Sequence, residues 1–209
     1  MNIKKLFYGI SICLFLIGCS PVHKIALHNE NSEFIKNTTS MTWYGIDFSN
    51  VKLIGDTGFE DPEKIRDEYF NSINKVVVSE SSKYNLHKTF YKTNVEIDSL
   101  IIEERNLQID LETMLASDVN STSLINIDDI PLIISEYNTE EKEGLGLVFI
   151  MKSLEKDDKK ARMFVTFFDI KSKDVLLTQE FEGKAGGFGF RNYWARTIKN
   201  VLDQIEMYN

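Results

Sequence analysis

Four glycines near the carboxyl end of the chain form the pattern with the most evident chemical use. Gly183, Gly186, Gly187 and Gly189 lie between an apolar run and a segment of helical periodicity. A glycine-rich turn that leads into a helix can present backbone N–H groups to a phosphate or another anion. This turn is therefore a candidate anion-binding site.

The spacing of the four glycines departs from the two familiar phosphate-binding motifs. The Gly-Lys-Ser/Thr of the Walker motif is absent, and Asn192 occupies the third glycine position of the dinucleotide-binding motif. The turn also follows a series of strands, whereas dinucleotide sites open a parallel βαβ unit. In the alternative interpretation, the glycines supply positive φ angles and let Phe188, Phe190 and Trp194 fold back onto the core.

Apolar residues recur every three or four positions from Phe190 onwards, which predicts an amphipathic helix packed on a sheet. The stripe consists of Phe190, Trp194, Ile198, Val201, Ile205 and Tyr208. Phe188 and Tyr193 lie off this stripe, so they are better candidates for exposure. Together with Arg191 they form the surface where we expect a partner or a ligand to bind.

Residues suited to catalysis are scarce. His87 is the only histidine after residue 40, and no Gly-x-Ser-x-Gly motif supplies a nucleophile for it. Three acidic pairs could bind calcium or act as acid and base, but adjacent carboxylates more often lie on solvated faces or at helix starts. These pairs are Glu103-Glu104, Asp128-Asp129 and Glu140-Glu141. We therefore predict a protein that is not an enzyme, with no catalytic residue, no metal and no cofactor.

The amino terminus predicts export. Two lysines precede an apolar run from Leu6 to Ile17, as in a secretory signal peptide. This run is shorter than the roughly 20 residues that span a bilayer. The segment Leu16-Ile17-Gly18-Cys19 resembles the lipobox of bacterial lipoproteins. The resemblance implies that residues 1–18 are a lipoprotein signal peptide and that Cys19 is lipidated, whereas an ordinary secretory signal would leave Cys19 as a free thiol.

Lipidation of Cys19 would determine both the redox chemistry and the location of the mature chain. Cys13 leaves with the signal peptide, so no thiol remains for a disulfide, a metal site or a nucleophile. Several acyl chains on one residue anchor a protein stably in a membrane. Ser20 follows the cysteine without an acidic cluster. By resemblance to Gram-negative and Bacteroidota lipoproteins, this implies an outer-membrane location facing the periplasm.

The composition of the mature chain limits what it binds. Removal of residues 1–18 takes away two lysines and no acidic residue, so 24 basic residues become 22 against 32 acidic ones, a net charge of −10. Such a chain is not expected to bind nucleic acid or anionic headgroups through a general basic field. Residues 19–40 are poor in apolar side chains and predict a flexible tether. Residues 41–209 are about 170 in number and suit one domain.

Three apolar runs predict consecutive antiparallel strands of a meander near the carboxyl end. They cover residues 147–151, 163–170 and 175–181, and short polar links join them. Further strands are predicted at 41–48 and near 95–102.

Helical patterns fill the segments between these strands. Asp61-Pro62 predicts the start of a helix that continues to about Ser79. A short helix is expected around residues 107–115, and another begins near Asp128. We therefore predict a single α+β domain, in which a mainly antiparallel sheet of about five strands is covered by helices, among them the amphipathic carboxyl-terminal one.

Several segments resemble known families. The lipobox, the strand Trp43 to Phe48, the strand Glu143 to Phe149 and the turn Ala185-Gly-Gly-Phe-Gly-Phe-Arg-Asn-Tyr-Trp194 resemble a group of uncharacterised lipoproteins of Bacteroidota-type bacteria. The hairpin pattern Phe168 to Val175 is also similar to the N-terminal domain of TolB-like proteins. These resemblances imply a small α/β envelope domain and an adaptor role, and they transfer no catalytic residue.

Two functional hypotheses follow. In the first, the protein is a lipid-anchored, non-enzymatic adaptor that binds an envelope protein, because a lipid anchor with a flexible reach accompanies no assembled active site. In the second, it is a periplasmic binder of a small anionic or glycan ligand at the turn from Gly183 to Tyr193.

Overall fold

The computed structural model of the chain describes residues 29–55, 57–139 and 142–208. Its strands are β1 (Ser40–Asp47), β2 (Lys52–Ile54), β3 (Asn94–Ile97), β4 (Leu115–Ala116), β5 (Leu145–Glu155), β6 (Lys160–Asp169) and β7 (Val175–Lys184). Its α-helices are α1 (Asn29–Asn37), α2 (Pro62–Lys64), α3 (Phe70–Ser79), α4 (Leu86–Phe90), α5 (Leu100–Asn106), α6 (Leu111–Met114), α7 (Ile130–Ser135) and α8 (Phe190–Tyr208). Among the helices of these residues, none has the length and apolar character needed to cross a membrane.

The seven strands form one sheet in which parallel pairing predominates. β5 lies at its centre. Along one edge of β5, first β1 and then β2 pair with it in parallel. β3 pairs in parallel with the other edge of β1, and β4 with the other edge of β2. On the other edge of β5, β6 and then β7 pair in antiparallel orientation. The prediction of an α+β domain with a mainly antiparallel sheet of about five strands is therefore wrong. The fold is α/β, with a mostly parallel seven-stranded sheet.

Long helical connections produce the parallel pairing. α2 to α4 separate β1 from β3, and α5 to α7 lie between β3 and β5, so each strand returns in the same direction after a crossover. α3 and α4 pack on one face of the sheet, while α5 and α7 pack on the other. Helices on both faces are typical of doubly wound α/β domains.

The predicted meander is confirmed. β5, β6 and β7 are consecutive antiparallel neighbours, with Phe149 opposite Val165 and Val165 opposite Gln179. Short polar links join them, as the sequence indicates. The first strand is also confirmed, since β1 covers nearly the predicted range. β5 is longer than predicted, because its carboxyl-terminal part pairs with β2.

The helix predicted from Asp61 is confirmed, with an irregular turn inside it. The Asp61 carboxylate accepts a hydrogen bond from the Lys64 backbone N–H at 3.1 Å, which caps the helix start. A π-helical turn, Ile65–Tyr69, then connects α2 to α3. The strand predicted near 95–102 is wrong in its second half. The chain leaves β3 after Ile97 and α5 begins at Leu100, because helical geometry places Ile102 in the core.

Two apolar cores lie on the two faces of the sheet. The larger one is formed by side chains of β1, β5 and β6 packed against α3, α4 and α8. The smaller one packs the opposite side chains of the same strands against α5 and α7. The stripe of α8 predicted to pack on the sheet lies in the larger core: Trp194, Ile198, Val201 and Ile205 are buried, and Phe190 packs against them partly buried. The side chain of Tyr208 lies outside the described ones.

The chain ahead of the sheet contacts the domain through α1. Residues 1–28, with the predicted signal peptide, Cys19 and most of the predicted tether, lie outside the described residues. The rest of the tether range contains α1, whose Ile35 is buried in the larger core. Lys92 is only 4% exposed, and its ammonium group donates to the carbonyl of Ile35 and, at 2.6 Å, to that of Thr38. This lysine therefore satisfies carbonyls that the end of α1 leaves without a helical partner.

Burial lowers the pKa of Lys92 below its ordinary 10.5. Below the folded-state pKa, the ammonium group is charged in the folded protein, and its desolvation lowers the free energy of unfolding by the full amount. As the pH rises past that pKa towards 10.5, the buried group loses its proton and this destabilisation disappears. We expect Lys92→Met to lower the free energy of unfolding, and the stability that wild type has over the variant should grow as the pH rises from neutral towards 10.5. Urea denaturation across this range measures the difference. Lys75→Met, at an exposed lysine, is the control; a gap that stays constant or shrinks contradicts the assignment.

Candidate functional site

The turn between β7 and α8 carries the residues that the sequence singles out. Phe188 lies at its tip with 95% of its surface exposed, so it does not fold back onto the core as the alternative interpretation has it. Arg191 is exposed in the first turn of α8, and Tyr193 is half-buried. The three side chains thus share the beginning of α8, and Phe190 and Trp194 fold inward between them.

The backbone of this turn is held by hydrogen bonds and by glycine conformations. Gly187 and Gly189 have φ angles of +113° and +77°, which residues with a side chain rarely adopt. The Gly186 N–H donates to the Tyr193 carbonyl at 3.1 Å, and the Tyr193 N–H donates to the Gly189 carbonyl at 3.0 Å. The Gly186 N–H is therefore already used within the turn. Anion binding at these glycines stays a prediction.

Basic and aromatic side chains lie around this turn. The ammonium group of Lys156 lies 4.2 Å from the centroid of the Tyr193 ring, a cation–π contact. The Arg191 Nε donates to the side-chain oxygen of Asn192 at 3.2 Å, and Lys184 is exposed at the end of β7. An exposed aromatic ring beside cations lies here on a protein whose overall charge is negative. A partner surface with acidic and apolar groups would match it.

A second group of polar residues lies where β1 ends, and the sequence analysis missed it. Asp47 is completely buried, and its carboxylate accepts a hydrogen bond from the Tyr137 hydroxyl at 2.7 Å. The Ser49 N–H donates to the other carboxylate oxygen at 2.8 Å. Arg105 lies beside them, with Nε 3.6 Å from Asp47 and Nη2 3.1 Å from a carboxylate oxygen of Glu136. Five residues from three parts of the chain thus form one cluster around the buried Asp47 carboxylate, with Glu136 exposed at its edge.

Tyr137 links Asp47 to Arg105 within this cluster. Burial, together with the charge of Asp47, raises the pKa of the Tyr137 hydroxyl well above its ordinary value. Tyr137 is therefore protonated at neutral pH and acts as a hydrogen-bond donor. The guanidinium of Arg105 also lies over the Tyr137 ring, with its central carbon 5.1 Å from the centroid. The cluster thereby fixes Arg105 and Glu136 at the surface.

A groove of about 380 Å³ opens beside the cluster. Its lining includes the link from Ser49 to Val51 between β1 and β2, the first residue of β2, Lys52, and residues between Ser123 and Glu136 in α7 and the loop before it. The link exists because β1 and β2 pair with β5 on either side of an interruption: Asp47 pairs with Ile150, and Lys52 pairs with Ser153. The extra residues of the link bulge out of the sheet. Such interruptions often re-aim side chains next to functional sites.

The chain matches no known family model and no curated protein sequence. His87 is exposed in α4, with Nδ1 3.1 Å from the carbonyl of Lys92. Within residues 29–55, 57–139 and 142–208, no group of three or more histidine, cysteine or acidic side chains is arranged to hold a metal ion. Of the acidic pairs, Asp129 caps the turn before α7, and Glu140-Glu141 lies outside the described residues.

Little in the sequence could have revealed the buried cluster. The position of Asp47 at the end of an apolar run is the one local signal, because a charge there must be paired if the strand is buried. Its partners Arg105 and Tyr137 follow at no recognisable spacing. Their meeting depends on α5 and α7 packing on the same face of the sheet.

Removing the Tyr137 hydroxyl tests the support that it gives to Asp47. We expect Tyr137→Phe to lower the free energy of unfolding by about 2 kcal/mol, because a buried carboxylate loses a donor. Tyr44→Phe is the matched control, since the buried Tyr44 hydroxyl has no hydrogen-bond partner among the described residues and its loss should cost little. Urea denaturation of the two variants measures the difference. Equal effects would show that the Asp47 contact contributes nothing.

Proposed function

We propose that this protein is a lipid-anchored protein of the bacterial cell envelope that binds a protein partner without catalysing a reaction. The single observation that carries the proposal is the exposure of Phe188, 95% of whose surface is in contact with solvent at the tip of a turn. An aromatic side chain in this position contributes no burial to the fold of the domain. It is available to fill a pocket of a partner, as the central aromatic residues of protein interfaces do.

The surroundings of Phe188 support a role for this side chain in binding a partner. The turn is fixed by its two internal hydrogen bonds and by the packing of Phe190 and Trp194 into the core, so Phe188 is presented by a rigid support. Binding through a preorganised surface loses less conformational entropy than binding through a flexible loop. Arg191 adds a cation that can pair with an acidic group of the partner. Phe188, Arg191 and Tyr193 are therefore proposed as one docking surface.

The lipobox supports the location in this proposal. Lipidation of Cys19 would place the domain at a membrane, in the proposed case the outer membrane with the domain in the periplasm. Fractionation of cells that express wild type or Cys19→Ala tests this part by itself. The proposal requires the wild type in the membrane fraction and the variant in the soluble fraction. An unchanged distribution of the variant would contradict the lipid anchor and leave the docking surface to be judged separately.

The docking surface is tested by crosslinking the full-length protein in membranes and identifying co-purified proteins by mass spectrometry. One dominant envelope protein is expected with wild type, and Phe188→Asp and Arg191→Glu should each abolish its recovery. Leu100→Ala is the control, because Leu100 is also exposed, at 64%, but lies at the start of α5. If all variants recover the partner protein equally, the interface lies elsewhere on the domain. If wild type recovers no specific protein, the adaptor proposal itself fails.

A further inference from the structure

We propose that the anchored domain contacts the lipid surface at the end of the sheet where β1 begins, and that it presents the Phe188 turn on the opposite side, away from the membrane. This orientation rests on the lipid anchor of the proposed function, and it adds which end of the domain meets the membrane and which end meets the partner. Three features support it: the directions of the strands, the place where the anchored chain joins the sheet, and two exposed aromatic side chains beside that place.

The strand directions place the start of β1 and the Phe188 turn at opposite ends of the sheet. β1 and β5 are parallel, and the two antiparallel pairings that follow give β7 the direction of β1. Thr42, near the start of β1, is level with Gly146 of β5 and with the start of β7. Lys184, at the end of β7, is level with Glu155 of β5. From Gly146 to Glu155 the strand advances by about 30 Å, so the turn after β7 lies at least this far along the sheet.

The anchored chain joins the sheet at the end where β1 begins. Only residues 38–39 connect α1 to β1. α1 is fixed there, because Ile35 is buried in the larger core and Lys92 donates to the carbonyls at its end. Cys19 precedes the start of α1 by ten residues, which span at most about 35 Å. A lipid on Cys19 would therefore hold α1 close to the bilayer.

Two exposed aromatic side chains lie at this end of the sheet. Phe34 in α1 is 45% exposed, and Tyr91 is 65% exposed. Tyr91 lies beside the start of β1, since the N–H of Thr93 donates to the carbonyl of Thr39 at 2.9 Å. Aromatic side chains are suited to the boundary between water and acyl chains. Contact of both rings with lipid would hold this end against the bilayer and point the docking surface away from it.

This orientation determines the kind of partner that the docking surface fits. At about 30 Å from the end that meets the lipid, the Phe188 turn lies beyond the headgroup region of the same membrane. The part of the partner that binds it is therefore a periplasmic protein or a periplasmic domain, and not a segment at the level of the headgroups.

The orientation can be measured on vesicles of brominated phosphatidylcholine, because bromine quenches tryptophan fluorescence only on contact with the lipid. The chain from Cys19 onwards has this cysteine as its single thiol. It is coupled through that thiol to a maleimide lipid in the vesicles, so the measurement does not depend on lipidation in the cell. Vesicles of ordinary phosphatidylcholine give the unquenched reference.

Four variants place a tryptophan reporter at one end of the sheet or the other. We expect Phe34→Trp and Tyr91→Trp to lose fluorescence in the brominated vesicles, and Phe188→Trp and Leu115→Trp to keep theirs. Leu115 belongs to the end of the Phe188 turn, because it pairs with Leu53 of β2, which is level with the last residues of β5.

The reporters are matched so that exposure alone cannot produce this order. Phe34 and Leu115 are equally exposed, at 45%, and Phe188 is more exposed than Tyr91. The native tryptophans are buried, and wild type gives their constant signal. The proposal is overturned if the reporters at the Phe188 end are quenched as strongly as the other two, or if no reporter is quenched. Neither outcome changes the crosslinking result, by which the docking surface itself stands or fails.

Discussion

Asn106→Ala is expected to lower the free energy of unfolding by about 3 kcal/mol, because each buried polar group left unpaired costs about 1–3 kcal/mol. Asn106 is completely buried at the end of α5. Its side-chain amide makes the hydrogen bonds to the backbone at the end of β1 that a neighbouring strand would otherwise make. Its oxygen accepts the Phe48 N–H at 2.7 Å, and its nitrogen donates to the Ile46 carbonyl at 3.1 Å. Alanine would leave the Phe48 N–H without a partner inside the domain.

Asn74 provides the comparison that isolates this effect. It lies in α3 and exchanges two hydrogen bonds with Ile46: its oxygen accepts the N–H at 2.7 Å, and its nitrogen donates to the carbonyl at 3.0 Å. The two asparagines therefore share the Ile46 carbonyl as acceptor. In a double-mutant cycle with Asn74→Ala, measured by urea denaturation, the two losses should not be additive. Strict additivity, or a loss well below 1 kcal/mol for Asn106→Ala alone, would contradict this role.

Gly183→Ala is expected to destabilise the protein by about 3 kcal/mol, at the upper end of the usual cost of overpacking. Gly183 lies in β7 where α8 crosses it, and a Cβ atom there would overlap the backbone carbonyl of Thr197. A carbonyl within a helix cannot turn away as a side chain would, so α8 as a whole must shift. The shift would disturb the burial of Trp194 and Ile198 in the larger core.

Gly186→Ala is the matched control for this substitution. Gly186 lies three residues further on, its φ angle is not positive, and a Cβ atom there would only reach the Arg196 side chain at 4.0 Å. Thermal unfolding should show a clear loss for Gly183→Ala and little change for Gly186→Ala. If the two variants lose the same stability, the close approach of α8 to Gly183 does not explain the loss, because Gly→Ala at an unstrained position should by itself stabilise the folded state slightly.

Much of the carboxyl-terminal half could be predicted from the sequence because its contacts are local. β5, β6 and β7 follow one another through short polar links, so antiparallel pairing of neighbours is the simplest arrangement. The stripe of α8 repeats at helical spacing, and that periodicity determines which side of the helix is buried. The exposure of Phe188 follows from the same pattern, since this residue lies outside the stripe.

The sequence by itself thus determined the charge of the protein, the meander of β5 to β7, the buried stripe of α8 and the exposed position of Phe188. The tertiary structure decided the pairing of β1, β3 and β5, because their partners lie beyond long helical connections whose residues do not encode strand order. It also brought Asp47, Arg105 and Tyr137 into contact. Each of these residues is ordinary in its own segment. Only the packing of α5 and α7 on the same face of the sheet brings their charges together and creates the groove beside them.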